Sequence, residues 1–128
     1  MRILLDTHTF LWWVLRSPNL SEAATEAIAD RRNEVLLSAA SVWELMIKAS
    51  RGKIQLDPDP LSFVRQQVAL NGFVPLPVTL EHAMGVYALP HHHGDPFDRL
   101  LVAQALAEDA PLVTADRRLD AYPATILW

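Results

Sequence analysis

The sequence predicts a three-layer α/β/α sandwich around a mostly parallel central sheet of four to five strands. Two observations indicate this fold class. Short apolar runs, which are typical of buried strands, alternate along the chain with segments of helical periodicity. The connections between these segments are short, as in sheets whose strands are joined by helices. At 128 residues, the chain is expected to form one domain over residues 1–128.

The first half of the chain contains two predicted strands and four predicted helices. The strands cover residues 2–5 and 34–38, and the helices cover residues 9–15, 22–32, 41–50 and 61–71. Ser21 is a favourable N-cap for the second helix. Gly52 and Gly72 suit the left-handed position that follows a helix. The Asp57-Pro58-Asp59-Pro60 segment is the clearest loop.

The second half adds a short third strand over residues 73–76, a fourth strand over residues 111–114, and a possible edge strand over residues 125–127. Thr79 is expected to cap a helix that extends to about residue 88. Pro96 suits the first turn of a longer helix that extends to residue 109. A short helix is expected over residues 117–121. Residues 89–94, which contain three histidines, are predicted to form a loop.

Composition narrows the possible functions. Apolar residues make up 51% of the chain and charged residues 20%, as in compact globular proteins. No apolar run is long enough to cross a bilayer and no signal-peptide pattern is present, so a cytosolic location is expected. The absence of cysteine excludes disulfides, thiolate zinc sites and cysteine nucleophiles. The net charge of −4 argues against a general nucleic-acid coat protein but not against a nuclease, because a bound cation would offset clustered carboxylates.

Four acidic residues stand next to or inside apolar runs: Asp6, Glu44, Asp98 and Asp116. Carboxylates are seldom buried away from water unless another group compensates their charge. If the fold brings them together, their repulsion raises their pKa values or recruits a divalent cation. Ligands bind outside the carboxyl ends of parallel strands, and three of the four acids map to that edge. The exception is Asp98, whose placement depends on how its helix docks.

Helix capping is the alternative explanation for the aspartates. Asp6 and Asp116 each precede a predicted helix and suit an N-cap. Asp95 is another candidate N-cap, with Asp98 at the third helical position in a pattern that resembles a capping box. We consider capping a good account of Asp95 but an incomplete one of Asp98. Four acids at element junctions favour a shared site.

Glu44 has a separate alternative. Its neighbours on both sides are apolar, so a structural glutamate there needs a basic partner, and Lys48 lies one helical turn later. We rank this ion pair below a role for Glu44 in the acidic site.

Histidines and tryptophans offer further candidates. Three consecutive ligands from one loop cannot all face one ion, so His91, His92 and His93 are predicted to be solvated. Trp12, Trp13 and Trp43 are conceivable platforms for stacking RNA bases. Their apolar helices instead predict core or partner-interface positions.

Four segments resemble the successive motifs of PIN-domain ribonucleases. They are Asp6-Thr7 after the first strand, SVWEL at residues 41–45, DPFDRLLVAQA at residues 95–105 and LVTAD at residues 112–116. More narrowly, the chain is similar to VapC-type toxins of bacterial toxin–antitoxin pairs. The similarity extends from end to end, with the motifs in the expected order. The DRLL-x-AQA helix start and the WEL segment are its most specific parts.

The resemblance implies a role for each matched position. The family's acidic quartet corresponds to Asp6, Glu44, Asp98 and Asp116, which are expected to hold Mg²⁺ or Mn²⁺, with Asp6 and Asp98 as the expected direct ligands. Matched polar positions near the site are Thr7, Ser41 and Thr114, and Asp95 is an additional acid that many relatives lack.

The activity implied is hydrolysis of RNA phosphodiester bonds by a metal-activated water, with the remaining carboxylates orienting water or acting as base. The expected substrate is tRNA or another structured RNA with an exposed single-stranded segment. The resemblance also implies a cognate antitoxin protein as partner and a homodimer.

Two rival functions remain open from the sequence. A phosphatase would use Asp6 as nucleophile, but such enzymes commonly have a second aspartate two residues later, where this chain has His8. A non-catalytic receiver or interaction module would use the acids to hold a metal for signalling.

Overall fold

The computed structural model describes residues 1–128 and contains one five-stranded sheet. Its strands are β1 (Arg2–Leu5), β2 (Glu34–Ser38), β3 (Val74–Leu76), β4 (Leu112–Val113) and β5 (Ile126–Leu127). They lie in the order β3-β2-β1-β4-β5, and every neighbouring pair is parallel. The predicted parallel sheet is therefore confirmed. The bounds of β1 and β2 match the prediction, whereas the last three strands are shorter.

Six α-helices surround the sheet. They are α1 (Thr7–Val14), α2 (Glu22–Ala29), α3 (Ala39–Ser50), α4 (Pro60–Asn71), α5 (Leu80–Gly85) and α6 (Pro96–Ala107). Two 3₁₀ turns, Val86–Ala88 and Arg117–Ala121, complete the set. No helix combines the length and the apolar composition that crossing a membrane requires.

Several helix bounds differ from the prediction because of local capping. The first helix begins two residues early, at Thr7, because the Asp6 carboxylate accepts the Thr9 backbone N–H. Similarly, α3 begins at Ala39 because Ser38 Oγ accepts the Ala40 N–H. The second helix ends early, at Ala29, and α6 ends at Ala107.

Helices cover both faces of the sheet. Residues of α1, α2, α3 and α4 pack on one face, where the buried side chains include Ile3, Leu5, Phe10, Ile28, Leu37, Leu45, Phe63 and Val113. The other face packs mainly against α6, with a core that includes Leu4, Leu36, Leu101, Val102, Leu112 and Leu119. This alternation of β1 side chains between two cores produces the predicted three layers.

The chain order places a topological switch point beside β1. From β1 the chain continues through β2 and β3 on one side, and then returns to build β4 and β5 on the other. Leu5 pairs with Val113, so the carboxyl ends of β1 and β4 lie side by side. A crevice for a ligand is expected outside such neighbouring strand ends.

Candidate metal centre

Asp6 lies at this switch point. It directly follows β1, it is 5% exposed, and its backbone N–H donates to Val113 O at 3.1 Å. Its Oδ1 accepts the Thr9 N–H at 2.7 Å, so Asp6 is also the N-cap of α1. The capping role considered from the sequence is therefore present. It uses one carboxylate oxygen and leaves the other without a protein partner.

Glu44 is connected to the same place through Thr7. Thr7 Oγ1 donates to Glu44 Oε1 at 2.7 Å, and Thr7 is the residue after Asp6. Lys48 Nζ lies 2.9 Å from Glu44 Oε2. The ion pair that we ranked as the weaker alternative is thus formed, and it coexists with the contact to Thr7. The Glu44 side chain is 12% exposed, so both partners act on a largely buried carboxylate.

Asp98 stands in the first turn of α6. Asp95 is the N-cap of this helix, with Oδ1 accepting the N–H groups of Phe97 at 2.8 Å and Asp98 at 3.3 Å. Capping therefore explains Asp95 and leaves the Asp98 side chain available. Burial raises the pKa of the Asp98 carboxyl; a hydrogen bond with His93 opposes this shift, and the negative charges of Asp95 and Asp6 add to it. Asp98 thus lies in the electrostatic field of Asp6.

Asp116 follows β4 and also serves as a cap. Its Oδ1 accepts the Arg118 N–H at 3.0 Å, and the Arg118 guanidinium contacts both carboxylate oxygens at 2.9 and 2.7 Å. These contacts hold the pKa of Asp116 below its ordinary value. Thr114, which is buried, accepts the Asp116 N–H through Oγ1.

His93 departs from the prediction of a fully solvated histidine loop. Its side chain is 8% exposed, and its Nε2 lies 2.8 Å from Asp98 Oδ2 and 3.6 Å from Asp116 Oδ2. His91 and His92 are exposed, as predicted. The local sequence does not distinguish the three histidines. Only the packed fold selects His93.

Ser41 Oγ provides a separate indication of a polar ligand. It is fully buried and has no hydrogen-bond partner, and Ser41 precedes Glu44 by one turn of α3. Burying an unpaired hydroxyl costs free energy of folding unless a water or an ion binds to it. Together with a donor set of carboxylate oxygens, this favours a hydrated divalent cation, because such ions prefer oxygen ligands and retain waters.

The tryptophans were predicted to lie in the core or at a partner interface. Trp43 is 60% exposed, which excludes the core and leaves the partner interface for this residue; its ring contacts Phe97 edge to face at 5.1 Å. Trp13 donates its indole N–H to Asn71 at 2.9 Å, and Trp12 packs against Trp128. Trp43 and Phe97 directly precede Glu44 and Asp98, so this aromatic pair spans the two helices that carry those acids.

The structure brings the acids to one edge of the sheet while each keeps a partner of its own. Asp98 is linked to Asp6 by charge and to Asp116 through His93. Glu44 is linked to the Asp6 position through Thr7. Single ligand atoms of His93, Asp98 and Asp116 all lie within 4.8 Å of one another. This arrangement can hold a divalent cation and polarise a water or a phosphoryl oxygen.

Comparison with known proteins agrees with this geometry. The PIN domain family model matches residues 3–124. Ribonuclease VapC22 of Mycobacterium tuberculosis is 37% identical over 124 residues, which cover 94% of this chain and 91% of that protein.

Solved structures share the fold at low sequence identity. VapBC2 from Rickettsia felis, bound to a promoter DNA fragment, aligns over 98% of this chain and 96% of its own with a TM-score of 0.75 and 17% identity. A toxin–antitoxin complex from Klebsiella pneumoniae aligns over 97% of this chain and 95% of its own with a TM-score of 0.63 and 18% identity. The chain therefore belongs to the PIN domain family, and within it to the VapC-type ribonucleases.

Proposed function

We propose that this protein is a metal-dependent endoribonuclease that hydrolyses RNA phosphodiester bonds as the toxin of a toxin–antitoxin pair. The observation that carries the proposal is the convergence at the switch point. Carboxylates from the ends of β1 and β4, from α3 and from the start of α6 are connected there by hydrogen bonds and charge. Membership of the VapC-type ribonucleases supports the same activity.

Asp6, Asp98 and Asp116 are the residues that would hold Mg²⁺ or Mn²⁺, with Glu44 beside them. Held by these residues, such an ion would lower the pKa of a bound water and would stabilise charge on the phosphoryl oxygens. The free oxygen of Asp6 and the raised pKa of Asp98 suit this role, because both indicate carboxylates whose charge the protein compensates only in part. Glu44, held by Thr7, orients water or accepts its proton.

Basic side chains next to the acids suit a polyanionic substrate. Lys48 and Arg118 each pair with an acid of the group and are partly or largely exposed, at 33% and 67% of their side chains. They can contact phosphates of a strand placed over the ion. A single-stranded segment of tRNA or of another structured RNA is the proposed substrate, since unstacked nucleotides reach a recessed site more readily than a duplex does.

The proposed partners are an antitoxin and a second copy of the chain. An apolar groove of about 530 Å³ lies between α3, α4 and β3. Its apolar lining includes Leu37, Val42, Val64, Val68, Leu76 and Pro77. Exposed apolar grooves of this kind suit an amphipathic helix of a partner protein. The groove includes Val42 of α3, the helix that also carries Glu44.

The test is cleavage of a fluorescent single-stranded RNA by the purified protein with and without Mg²⁺ or Mn²⁺. Asp6→Asn and Asp98→Asn should each abolish metal-dependent cleavage while leaving circular dichroism unchanged. Asp109→Asn, at an exposed acid beyond the far end of α6, is the matched control and should cleave normally. Full cleavage by Asp98→Asn would refute the proposal, and unfolding of both site variants would show that these acids are structural.

The phosphatase alternative gains no support from the geometry of Asp6. One of its oxygens is engaged by Thr9, and the position two residues later is His8, which is exposed. A phosphoaspartate trapped at Asp6 would reverse this judgement.

A further inference from the structure

His93 is an imidazole among carboxylates, and the proposed reaction does not use it. Its Nε2 faces two acids from different parts of the fold, Asp98 at the start of α6 and Asp116 after β4. The side chain is more than nine-tenths buried. A neutral imidazole nitrogen is a common metal ligand, and this one is directed at the carboxylates that would hold the ion.

The spacing of the three side chains fits one ion. Nε2 of His93 lies 2.8 Å from the Asp98 oxygen and 3.6 Å from the Asp116 oxygen, and all three ligand atoms fall within 4.8 Å of one another. Around an ion with bonds of about 2.1 Å in octahedral geometry, neighbouring ligand atoms are about 3 Å apart and opposite ones about 4 Å. The two distances measured from His93 Nε2 are consistent with these separations.

The loop that carries His93 is held in place by Arg99. This buried guanidinium donates to the carbonyls of Val86, Leu89 and Pro90 at 3.3, 3.3 and 2.8 Å. It also donates to the hydroxyl of Tyr122 at 3.0 Å. Because these bonds fix the backbone just before His93, the imidazole is positioned before any ion arrives.

Arg118 is the competitor at this place, since its guanidinium also contacts Asp116 Oδ2. The Arg118 side chain is 67% exposed. Exposed ion pairs contribute little free energy, so this pair does not prevent an ion from binding Asp116.

We propose that His93 is a further protein ligand of the divalent cation, added to the carboxylates and adjacent to Asp98 and Asp116, and that its nitrogen makes the site favour Mn²⁺ over Mg²⁺. The inference rests on the proposed function, because it specifies the ion of that site. Mg²⁺ favours oxygen ligands almost exclusively, whereas imidazole nitrogen increases the affinity for first-row transition ions. A site of carboxylates alone discriminates less between the two.

The test is isothermal titration of the purified protein with MnCl₂ and, separately, with MgCl₂, so that affinity is measured without RNA. His93→Ala should weaken Mn²⁺ binding by about tenfold or more, the scale seen when groups that support a metal are lost. Mg²⁺ binding should change by much less. His91→Ala, in the same loop but exposed, is the matched control and should bind both ions as the unmodified protein does.

His93→Gln separates ligation from loop structure, because its amide can still donate to Asp98 while the imidazole nitrogen is gone. It should lose Mn²⁺ preference as His93→Ala does, with an unchanged circular dichroism spectrum. Equal losses of Mg²⁺ and Mn²⁺ affinity would show that His93 only positions the carboxylates. Unchanged affinities would show that it does not contact the ion. Either result overturns the inference.

Asp98→Asn keeps this failure distinct from failure of the proposed function. If Asp98→Asn binds both ions normally, the proposed acidic metal site is refuted. If Asp98→Asn loses both ions while His93→Ala retains its Mn²⁺ preference, only the role of His93 is wrong.

Discussion

Thr7 Oγ1 donates a 2.7 Å hydrogen bond to Glu44 Oε1, which joins the first turn of α1 to the middle of α3. Thr7→Val keeps the side-chain shape but removes the donor from a largely buried carboxylate. We expect the free energy of unfolding to fall by about 1 to 2 kcal/mol, measured by urea denaturation. Thr7→Ser retains the hydroxyl, so its free energy of unfolding should fall by less. Equal losses in the two variants would show that the hydrogen bond contributes nothing measurable.

The raised pKa of Asp98 predicts that this residue destabilises the fold at neutral pH. In the unfolded chain it ionises near its ordinary value of 3.8, and in the folded protein at a higher pH. Between these values the folded state binds more protons, so stability falls as pH rises and stays lower above the folded pKa. Asp98→Asn should therefore raise the melting temperature at neutral pH without divalent ions, and the gain should shrink as pH falls from the folded pKa of Asp98 towards 3.8 and vanish below it.

Asp116→Asn is the control of opposite sign. Because Arg118 lowers the pKa of Asp116, its ionised form stabilises the folded state at neutral pH. This variant should lower the melting temperature under the same conditions. A decrease for both variants would mean that lost contacts, rather than ionisation, dominate at Asp98.

Glu108, at the C-terminal end of α6, is expected to make the stability of the fold sensitive to acid pH. His82 lowers the pKa of this carboxyl through a 2.8 Å contact, and Arg2 lowers it further. The stabilisation is present above the unfolded value of 4.5 and is lost as pH falls through the folded value. Glu108→Gln should melt at a lower temperature at neutral pH and lose less stability on acidification. A parallel pH dependence in the two proteins would contradict this.

Arg99 predicts a large loss of stability on a conservative change. Its guanidinium is 7% exposed and donates to three carbonyls and to the Tyr122 hydroxyl. A lysine cannot reproduce this fork of donors. We expect Arg99→Lys to reduce the free energy of unfolding by about 2 to 4 kcal/mol in urea. The same change at exposed Arg117 should have little effect, and similar losses at both positions would refute this role for Arg99.

Trp43 predicts an effect on RNA without an effect on the fold. Its exposed ring packs on Phe97 beside the two acid-bearing helices. If nucleotides pass over this pair, Trp43→Ala should weaken binding of a fluorescent single-stranded RNA by about 1 to 3 kcal/mol, the scale of one stacked base. Tyr87→Ala, at an exposed aromatic after α5, should leave binding unchanged. Equal RNA affinities for Trp43→Ala and the unmodified protein would exclude the ring as a platform.

Local signals explain why much of the fold was predictable from the sequence. Continuous apolar runs determine β1 and β2, and Gly72, with a φ of 67°, ends α4 as expected. The early starts of α1 and α3 were missed because Asp6 and Ser38 end a strand and cap a helix with no loop between them. The sequence-based prediction leaves a short loop between each strand and the helix that follows it, whereas the structure has none.

Part of the candidate site was also predictable from local features of the sequence. Acids at strand ends are readable from topology, and the pairing of Glu44 with Lys48 follows from helical spacing. His93 was missed because its position depends on Arg99 and Tyr122, which act on its loop across the packed face of α6. No local pattern separates it from His91 and His92.

The hydrogen bond from the Asp6 backbone to Val113 ties this proposed metal ligand to the central strands of the sheet. The Asp6 amide sits between the two central strands, so deuterium would replace its proton only when the whole sheet comes apart. Partial unfolding at the periphery, such as fraying of β5, would leave the carboxylate where it is. The Asp6 backbone should accordingly hold its position up to the main unfolding transition, in which the sheet itself is lost.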